Sequence, residues 1–134
     1  GDSVSTAARI ESKCKEYGCV LLVGDATYQQ TKSDFFYLKI DDLAVKGKSV
    51  GVGIWTVLDQ KRPAWRVAQR KHEEMYEHYQ AQRFDDAIAS CKLLHNHFDG
   101  KMSGYYDMWI ERCEFQKTQT LPKDWDGIFI ATTK

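Results

Sequence analysis

The first 58 residues combine one helical stretch with several short apolar runs. Between Gly1 and Gly18, small apolar residues recur every three or four positions, which predicts an amphipathic helix. The apolar runs that follow are rich in β-branched and aromatic residues, a composition that is typical of strands. They predict strands at 19–23, 35–40 and 50–58, with a short helix at 28–31 between the first two.

The second and third of these strands form a predicted hairpin. Asp41 and Asp42 interrupt the apolar pattern before 43–45, so we expect a bulge or a bend there. The sequence Lys46-Gly47-Lys48 then predicts a tight turn, because glycine tolerates positive φ angles. Adjacent residues of a strand point to opposite faces, so Asp41 and Asp42 are not expected to share a metal ion.

Beyond residue 58 the period of the apolar positions becomes helical. Pro63 lies in the polar segment 59–64, which marks a boundary, and three helices are predicted after it. Their ranges are 65–82, 84–98 and 103–115. The first carries Ala68, His72, Met75, Tyr76 and Tyr79, and the second turns Ala87, Ile88, Cys91, Leu93 and Leu94 inward. Because one helix pair cannot bury its own apolar face, we expect these helices to dock on the first part of the chain or on a partner.

Composition narrows the class of protein. Apolar residues make up 43% of the 134 residues, and 19 basic residues balance 19 acidic ones. This balance leaves no excess of positive charge that would indicate binding to nucleic acid or to a membrane surface. No apolar run is long enough to span a bilayer. The four cysteines show no C-x-x-C pairing, which predicts free thiols in a reducing cytosol. We therefore expect a cytoplasmic chain whose membrane attachment, if any, is made by a region before residue 1.

Few side chains have a spacing that suits chemistry. Ser5 and Arg9 are four residues apart, so they project from one face of the predicted first helix. A guanidinium beside a hydroxyl near a helix start suits an anion such as phosphate. The four histidines are not spaced as metal ligands, either with one another or with cysteines and carboxylates. We therefore predict no metal site within this chain.

Three linked motifs stand in the first 58 residues. They are Gly1-Asp2-Ser3-Val4-Ser5-Thr6-Ala7-Ala8-Arg9-Ile10-Glu11, then Asp25-Ala26-Thr27-Tyr28, then Asp42-Leu43-Ala44-Val45-Lys46-Gly47-Lys48. In this order and spacing they resemble the second half of the catalytic domain of class III nucleotidyl cyclases. The resemblance implies an α+β fold, with a partial ferredoxin-like sheet, one long helix across it and about three helices after it. It also assigns Asp42 to a turn at the end of a strand.

The resemblance implies roles for three residues. Arg9 matches the arginine that stabilises charge developing on the α-phosphate as the 3′-hydroxyl attacks, and Lys46 matches a lysine that binds pyrophosphate oxygens. Ser5 stands where the family usually has an asparagine that orients the ribose, and a working but altered site is favoured over a dead one. The ligands of the Mg²⁺ or Mn²⁺ pair and the residues that select the base belong, in the family, to the half of the domain that precedes this stretch.

The implied activity is conversion of ATP to cyclic AMP and pyrophosphate by two-metal-assisted in-line attack, at a site shared by two subunits of a homodimer. Residues 1–58 are then the C-terminal half of the catalytic domain, and 59–134 are a helical extension. This extension resembles a tetratricopeptide-type helix pair and the tail of bacterial sensor-linked adenylate cyclases, which favours adenylate over guanylate cyclase. We expect a fragment of a longer enzyme that is inactive alone.

The alternative is a non-catalytic interaction module, in which the helical extension recruits a partner protein. An open apolar groove between the first two predicted helices would favour this reading. Full burial of their aromatic and aliphatic side chains would oppose it; these are Tyr76, Tyr79, Phe84 and Leu94.

Overall fold

The computed structural model describes residues 22–44, 51–58 and 63–128. A three-stranded antiparallel sheet comes first, made of β1 (Leu22–Gly24), β2 (Phe36–Ala44) and β3 (Gly51–Leu58), with the short helix α1 (Asp25–Thr31) after β1. The helices that follow are α2 (Pro63–Gln80), α3 (Phe84–Leu94) and α4 (Ser103–Lys117), with a 3₁₀ turn at Phe98–Gly100. The predicted α+β class is confirmed, with a partial sheet followed by three longer helices. The predicted helix at 1–18 lies outside the described residues.

Strand β3 lies in the centre of the sheet, between β1 and β2. The predicted hairpin is confirmed, because β2 and β3 pair in the antiparallel sense along their whole length. The predicted bulge is confirmed too. Lys39 pairs with Trp55, and the next paired residue of β2 is Asp41, opposite Ile54. Ile40 therefore has no partner in β3, and β2 continues past this bulge to Ala44.

One hydrophobic core connects the sheet with the helices. The strands contribute Leu22, Phe36, Leu38, Ile40, Ile54 and Leu58. The helices contribute mainly aromatic side chains, among them Trp65, Tyr76, Tyr79, Phe84, Tyr105, Tyr106 and Trp109. Tyr79 meets Trp109 edge to face, with ring centroids 4.5 Å apart, which joins α2 to α4. As expected from the sequence, the helices dock on the first part of the chain.

Several local predictions are wrong. Helix α3 ends at Leu94 and not at Phe98; His97 is extended, with a ψ angle of 174°, and Phe98 has a positive φ angle of 54°. Leu93 does not face inward but is 57% exposed, whereas Leu94 beside it is fully buried. Asp42 lies inside β2 and not in a turn at its end.

Helix α1 includes the predicted stretch 28–31 and begins at Asp25, a residue expected to cap it, so that Gly24 is at the N-cap position. No side chain caps it. Among the described residues, no helix combines the length and the apolar content that crossing a bilayer would need.

Candidate functional site

The V-K-G-K segment joins the two strands of the hairpin. Ala44 is paired with Gly51, and Lys46 belongs to the stretch 45–50 between them, which lies outside the described residues. Arg9 and Ser5 lie outside them as well, in 1–21. Their convergence with Lys46 on one nucleotide therefore stays a prediction. The part of the candidate site that the structure describes is strand β2, which leads into the V-K-G-K segment.

Side chains of α2 and α4 donate hydrogen bonds to the backbone of β2. The carbonyls of Tyr37, Lys39 and Ile40 accept from Gln69 at 2.7 Å, from His72 at 2.6 Å and from Tyr105 at 2.6 Å, respectively. The bond to Ile40 is the most telling, because this residue has no partner in β3. A helical hydroxyl thus binds the backbone where the bulge interrupts the pairing of the strands.

A buried ion pair holds the residue after the bulge. Arg112 Nη1 of α4 lies 2.6 Å from Asp41 Oδ2, and the two side chains are only 4% and 1% exposed. The other carboxylate oxygen of Asp41 accepts a hydrogen bond from the Asp42 backbone N–H at 2.9 Å. The Arg112 guanidinium also lies over the Trp109 ring, at 4.9 Å from its centroid. The two charges stabilise each other here, because the loss of either side chain would leave the other charge buried without a counter-charge.

Asp42 also contacts the helical layer. Its Oδ2 accepts a hydrogen bond from the Tyr76 hydroxyl of α2 at 2.8 Å, and its Oδ1 lies 3.1 Å from Lys39 Nζ. Burial, with the nearby carboxylates of Asp41 and Asp42, raises the pKa of Tyr76 well above its ordinary value, so the phenol stays a donor. The expectation that the two aspartates face apart is confirmed by the register, because Asp41 pairs with the buried Ile54 of β3 and Asp42 with its neighbour Gly53.

Five side chains thus contact residues 37–42 of β2 from the helices, and we call them the clamp residues. They are Gln69, His72, Tyr76, Tyr105 and Arg112. All are polar groups on helices whose other inward positions are mostly apolar. Every one donates to β2, so the helices fix the strand by directional bonds as well as by packing.

His72 is held as a neutral imidazole. Its Nε2 donates to the Lys39 carbonyl, so Nδ1 is the acceptor for the Tyr106 hydroxyl at 2.8 Å. Burial is the main cause that lowers the pKa of His72 to about 4, although the bond to Lys39 acts in the opposite direction. With both ring nitrogens bonded inside the core, His72 is a structural residue.

The clamp region has no features of a metal centre or of an open active site. Within the described residues, no group of three or more His, Cys, Asp and Glu side chains is arranged to hold a metal ion. Asp41 and Asp42 are engaged by Arg112 and Tyr76 instead. Cys91 and Cys113 are buried free thiols, and burial raises the pKa of Cys113 to about 12, so it stays protonated.

A surface hollow of about 250 Å³ lies at the opposite end of β2. Its lining residues are Tyr28, Lys32, Phe35, Phe36, Tyr37, Arg66 and Gln69. Phe36 opens β2 and Ala44 ends it. At a rise of about 3.3 Å per residue, the hollow is roughly 25 Å from Ala44.

A match to a known protein supports a relationship of this chain to the adenylate cyclases. No family model matches the chain, and no solved structure matches it.

The matched relative is the terminal-differentiation specific adenylate cyclase of Dictyostelium discoideum. It is 33% identical over 100 residues, a match that takes in 69% of this chain and 5% of the relative's length. The chain thus corresponds to a small part of the relative. The relative is an amoebal protein, so the comparison does not support the expected bacterial type of cyclase.

The match also extends into the helices. Residues 1–58 are less than half of the 134-residue chain, so a match to 69% of it necessarily includes part of 59–134. Sequence in the helical extension is therefore shared with an adenylate cyclase. The tetratricopeptide likeness has no such support and stays an expectation.

The sequence reasoning missed the clamp residues as a group. It placed His72 and Tyr76 on the buried stripe of a helix, but gave no role to Gln69, Tyr105 or Arg112. A signal was present, since Arg112 stands on the same stripe as Tyr105 and Trp109, where an ionisable residue needs a buried partner. No sequence feature identifies Asp41 as that partner.

Proposed function

We propose that this chain is the C-terminal half of the catalytic domain of a class III adenylate cyclase, with a helical extension that belongs to the same enzyme. The reaction is the conversion of ATP to cyclic AMP and pyrophosphate. The observation that carries the proposal is the 33% identity to an adenylate cyclase over 69% of the chain. The β2–β3 hairpin supports it, because the V-K-G-K segment stands between two paired strands as the resemblance requires.

In this proposal Arg9 and Lys46 bind the triphosphate. Arg9 stabilises the charge that develops on the α-phosphate when the 3′-hydroxyl attacks in line. Lys46 binds the departing pyrophosphate, and Ser5 contacts the ribose through its hydroxyl. Charge stabilisation of this kind acts on the transition state, so it raises turnover more than it tightens binding of ATP.

The Mg²⁺ or Mn²⁺ of the proposed reaction does not fit the described residues, which offer no cluster of ligands. The proposal therefore assigns metal binding to another part of the catalytic domain, together with selection of adenine. A homodimer completes the site in this proposal. The isolated 134 residues would lack part of the machinery and would form no product.

The interaction-module alternative finds less support. Tyr76, Tyr79, Phe84 and Leu94 are at most 7% exposed, so α2 and α3 present no apolar groove through these side chains. The clamp residues direct their polar groups to β2 of the same chain and not to a partner. Guanylate cyclase activity stays open as a variant of the proposal, since the described residues do not include a base-selecting group.

The test is a cyclase assay on the longer polypeptide that contains both halves of the catalytic domain. Cyclic AMP formed from ATP and cyclic GMP formed from GTP are measured for the wild type and for Arg9→Ala, Lys46→Ala and Lys48→Ala. We expect cyclic AMP, with a loss of about 10²- to 10³-fold in kcat for Arg9→Ala. Lys48→Ala is the matched control and should retain activity, since the resemblance implies no role for Lys48. An Arg9→Ala enzyme with unchanged kcat would reject the assigned role, and robust product from the isolated chain would reject its status as an inactive fragment.

A further inference from the structure

The surface hollow at the start of β2 lies where three elements meet. Lys32 follows the last residue of α1, Phe35 precedes β2, and Arg66 and Gln69 belong to the first two turns of α2. The volume of the hollow, about 250 Å³, is below the range of about 300–1,000 Å³ that is usual for drug-sized ligands. The hollow therefore suits a ligand with few atoms.

Both charged side chains that line the hollow are cationic. They are Lys32 and Arg66, and no acidic side chain of the described residues stands among the lining groups. Lys32 Nζ donates to the neutral side chain of Gln29 at 3.1 Å, a bond that leaves the charge of the lysine uncompensated. The first turn of α2 has no acidic residue, so the positive end of the helix dipole adds to these charges. A hollow with charges of one sign beside apolar walls attracts ions of the opposite sign, which here are anions.

Aromatic side chains form the walls of the hollow. Phe35 is 51% exposed, whereas the adjacent Phe36 is buried, so the Phe35 ring offers apolar surface that the core does not use. The rings of Phe35 and Tyr37 meet edge to face with centroids 6.3 Å apart, and those of Tyr28 and Tyr37 do so at 5.2 Å. A ligand with a planar ring can extend this cluster through the same kind of contact.

Contacts within the chain hold the walls in place. Tyr28 stacks on Trp55, and the Tyr37 hydroxyl shares a hydrogen bond of 2.7 Å with Thr31 Oγ1. Gln69 Nε2 donates to the Tyr37 carbonyl at 2.7 Å, and the same nitrogen carries a second hydrogen that can donate to an anion. Binding of a ligand therefore requires little further ordering of these side chains.

We propose that the hollow binds a small organic anion, in which one phosphate or carboxylate group is attached to a single aromatic ring. The acid group lies between Lys32 and Arg66, and the ring packs on Phe35. The planar guanidinium of Arg66 can bind two oxygens of the acid group at once, and Lys32 adds a point charge. The inference is independent of the proposed function, because it uses only groups that line the hollow.

The first experiment is a titration of the full 134-residue chain with phenyl phosphate, followed by two-dimensional NMR of the backbone amides and of the Gln69 side-chain amide. Inorganic phosphate and phenol are titrated in parallel, because they carry the anion and the ring separately. We expect phenyl phosphate to bind with a Kd of about 1–10 mM, about 10-fold more tightly than either component. The shifted signals should belong to the lining residues, the Gln69 side chain among them.

The second experiment repeats the titrations on three variants at exposed side chains, which leave the core intact. Arg66→Gln should weaken phenyl phosphate and inorganic phosphate alike, by about 10-fold, since the guanidinium binds the acid group of both. Phe35→Ser should weaken phenyl phosphate by about 10-fold and leave inorganic phosphate unchanged. Arg70→Gln is the matched control and should leave both Kd values unchanged, because Arg70 is an exposed arginine of the same helix that does not line the hollow.

Two results would overturn the inference. Equal losses of affinity in Arg66→Gln and Arg70→Gln would show attraction to the general charge of this surface and not a site. Equal Kd values for phenyl phosphate and inorganic phosphate in the wild type would show that the ring contributes nothing to binding.

Discussion

At the scale of single residues, the core of this protein contains polar groups that must keep one protonation state. His72 is 1% exposed, and it needs a proton on Nε2 for the Lys39 carbonyl and a free lone pair on Nδ1 for the Tyr106 hydroxyl. Protonation of Nδ1 would place a second donor against that hydroxyl and a charge inside the core. The neutral form is therefore part of the folded state.

This arrangement predicts a loss of stability at mildly acidic pH. The pKa of His72 is about 4 in the folded chain, against its ordinary value of 6.5 in an unfolded one, so the unfolded state binds the proton first as pH falls. The stabilisation is complete above pH 6.5 and is lost between pH 6.5 and 4, which amounts to about 3 kcal/mol. Urea unfolding at pH 7 and pH 4.5 measures it.

The control variants isolate the contribution of His72 from that of other groups. His72→Gln can keep both hydrogen bonds without titrating, so its free energy of unfolding should fall much less between the two pH values. The exposed His97 provides the matched comparison, and His97→Gln should keep the wild-type pH dependence. Parallel losses in the wild type and in His72→Gln would show that His72 does not carry the effect.

At the scale of elements, the outer face of the sheet depends on a glycine. The Trp55 indole of β3 stacks on Tyr28 of α1, with centroids 4.0 Å apart and planes 2° from parallel. The same indole lies across Gly53, where an added Cβ would come within 2.6 Å of its outer ring. Gly53 thus provides the space in which Trp55 joins α1 to the sheet.

Gly53→Ala should therefore destabilise the chain. The indole is held by Tyr28 on its other face, so it cannot move away without losing that stack. We expect a cost of about 1–3 kcal/mol, typical of overpacking, and a changed near-ultraviolet circular dichroism signal. Gly24→Ala is the matched control, since a Cβ there meets nothing within 4 Å. Equal stability of the two variants in urea would contradict this account.

The strands and helices also show which features of the fold can be predicted from the sequence. The hairpin, the bulge and the three long helices follow from apolar period and from two adjacent aspartates, which are local signals. The ion pair of Asp41 does not, because its partner Arg112 is 71 residues away in sequence. Leu93 illustrates the same limit, since neighbouring leucines of α3 differ in burial only through their tertiary contacts. The roles of Arg9, Ser5 and Lys46 depend on the resemblance and stay predictions.

At the scale of the whole molecule, the sequence divides the chain at residue 58, whereas one core includes residues from both sides of that boundary. The division into 1–58 and 59–134 stays a prediction. The contacts argue that both parts unfold together, because the clamp residues and the aromatic side chains of α2 and α4 bury the inner face of the sheet. Cooperative unfolding is expected where buried contacts are shared in this way.

Two neighbouring leucines of α3 allow this to be measured far from the sheet. Leu94 is fully buried between helices, and Leu94→Ala should cost about 2–5 kcal/mol, whereas Leu93→Ala changes a side chain that is 57% exposed and should cost little. Native-state hydrogen exchange reports the free energy of opening for the slowest amides of β2 and of α4. In a single cooperative unit, Leu94→Ala lowers both values equally, although β2 does not contain the substitution. If the amides of α4 lost protection while those of β2 kept theirs, the helices would be a separate cooperative unit.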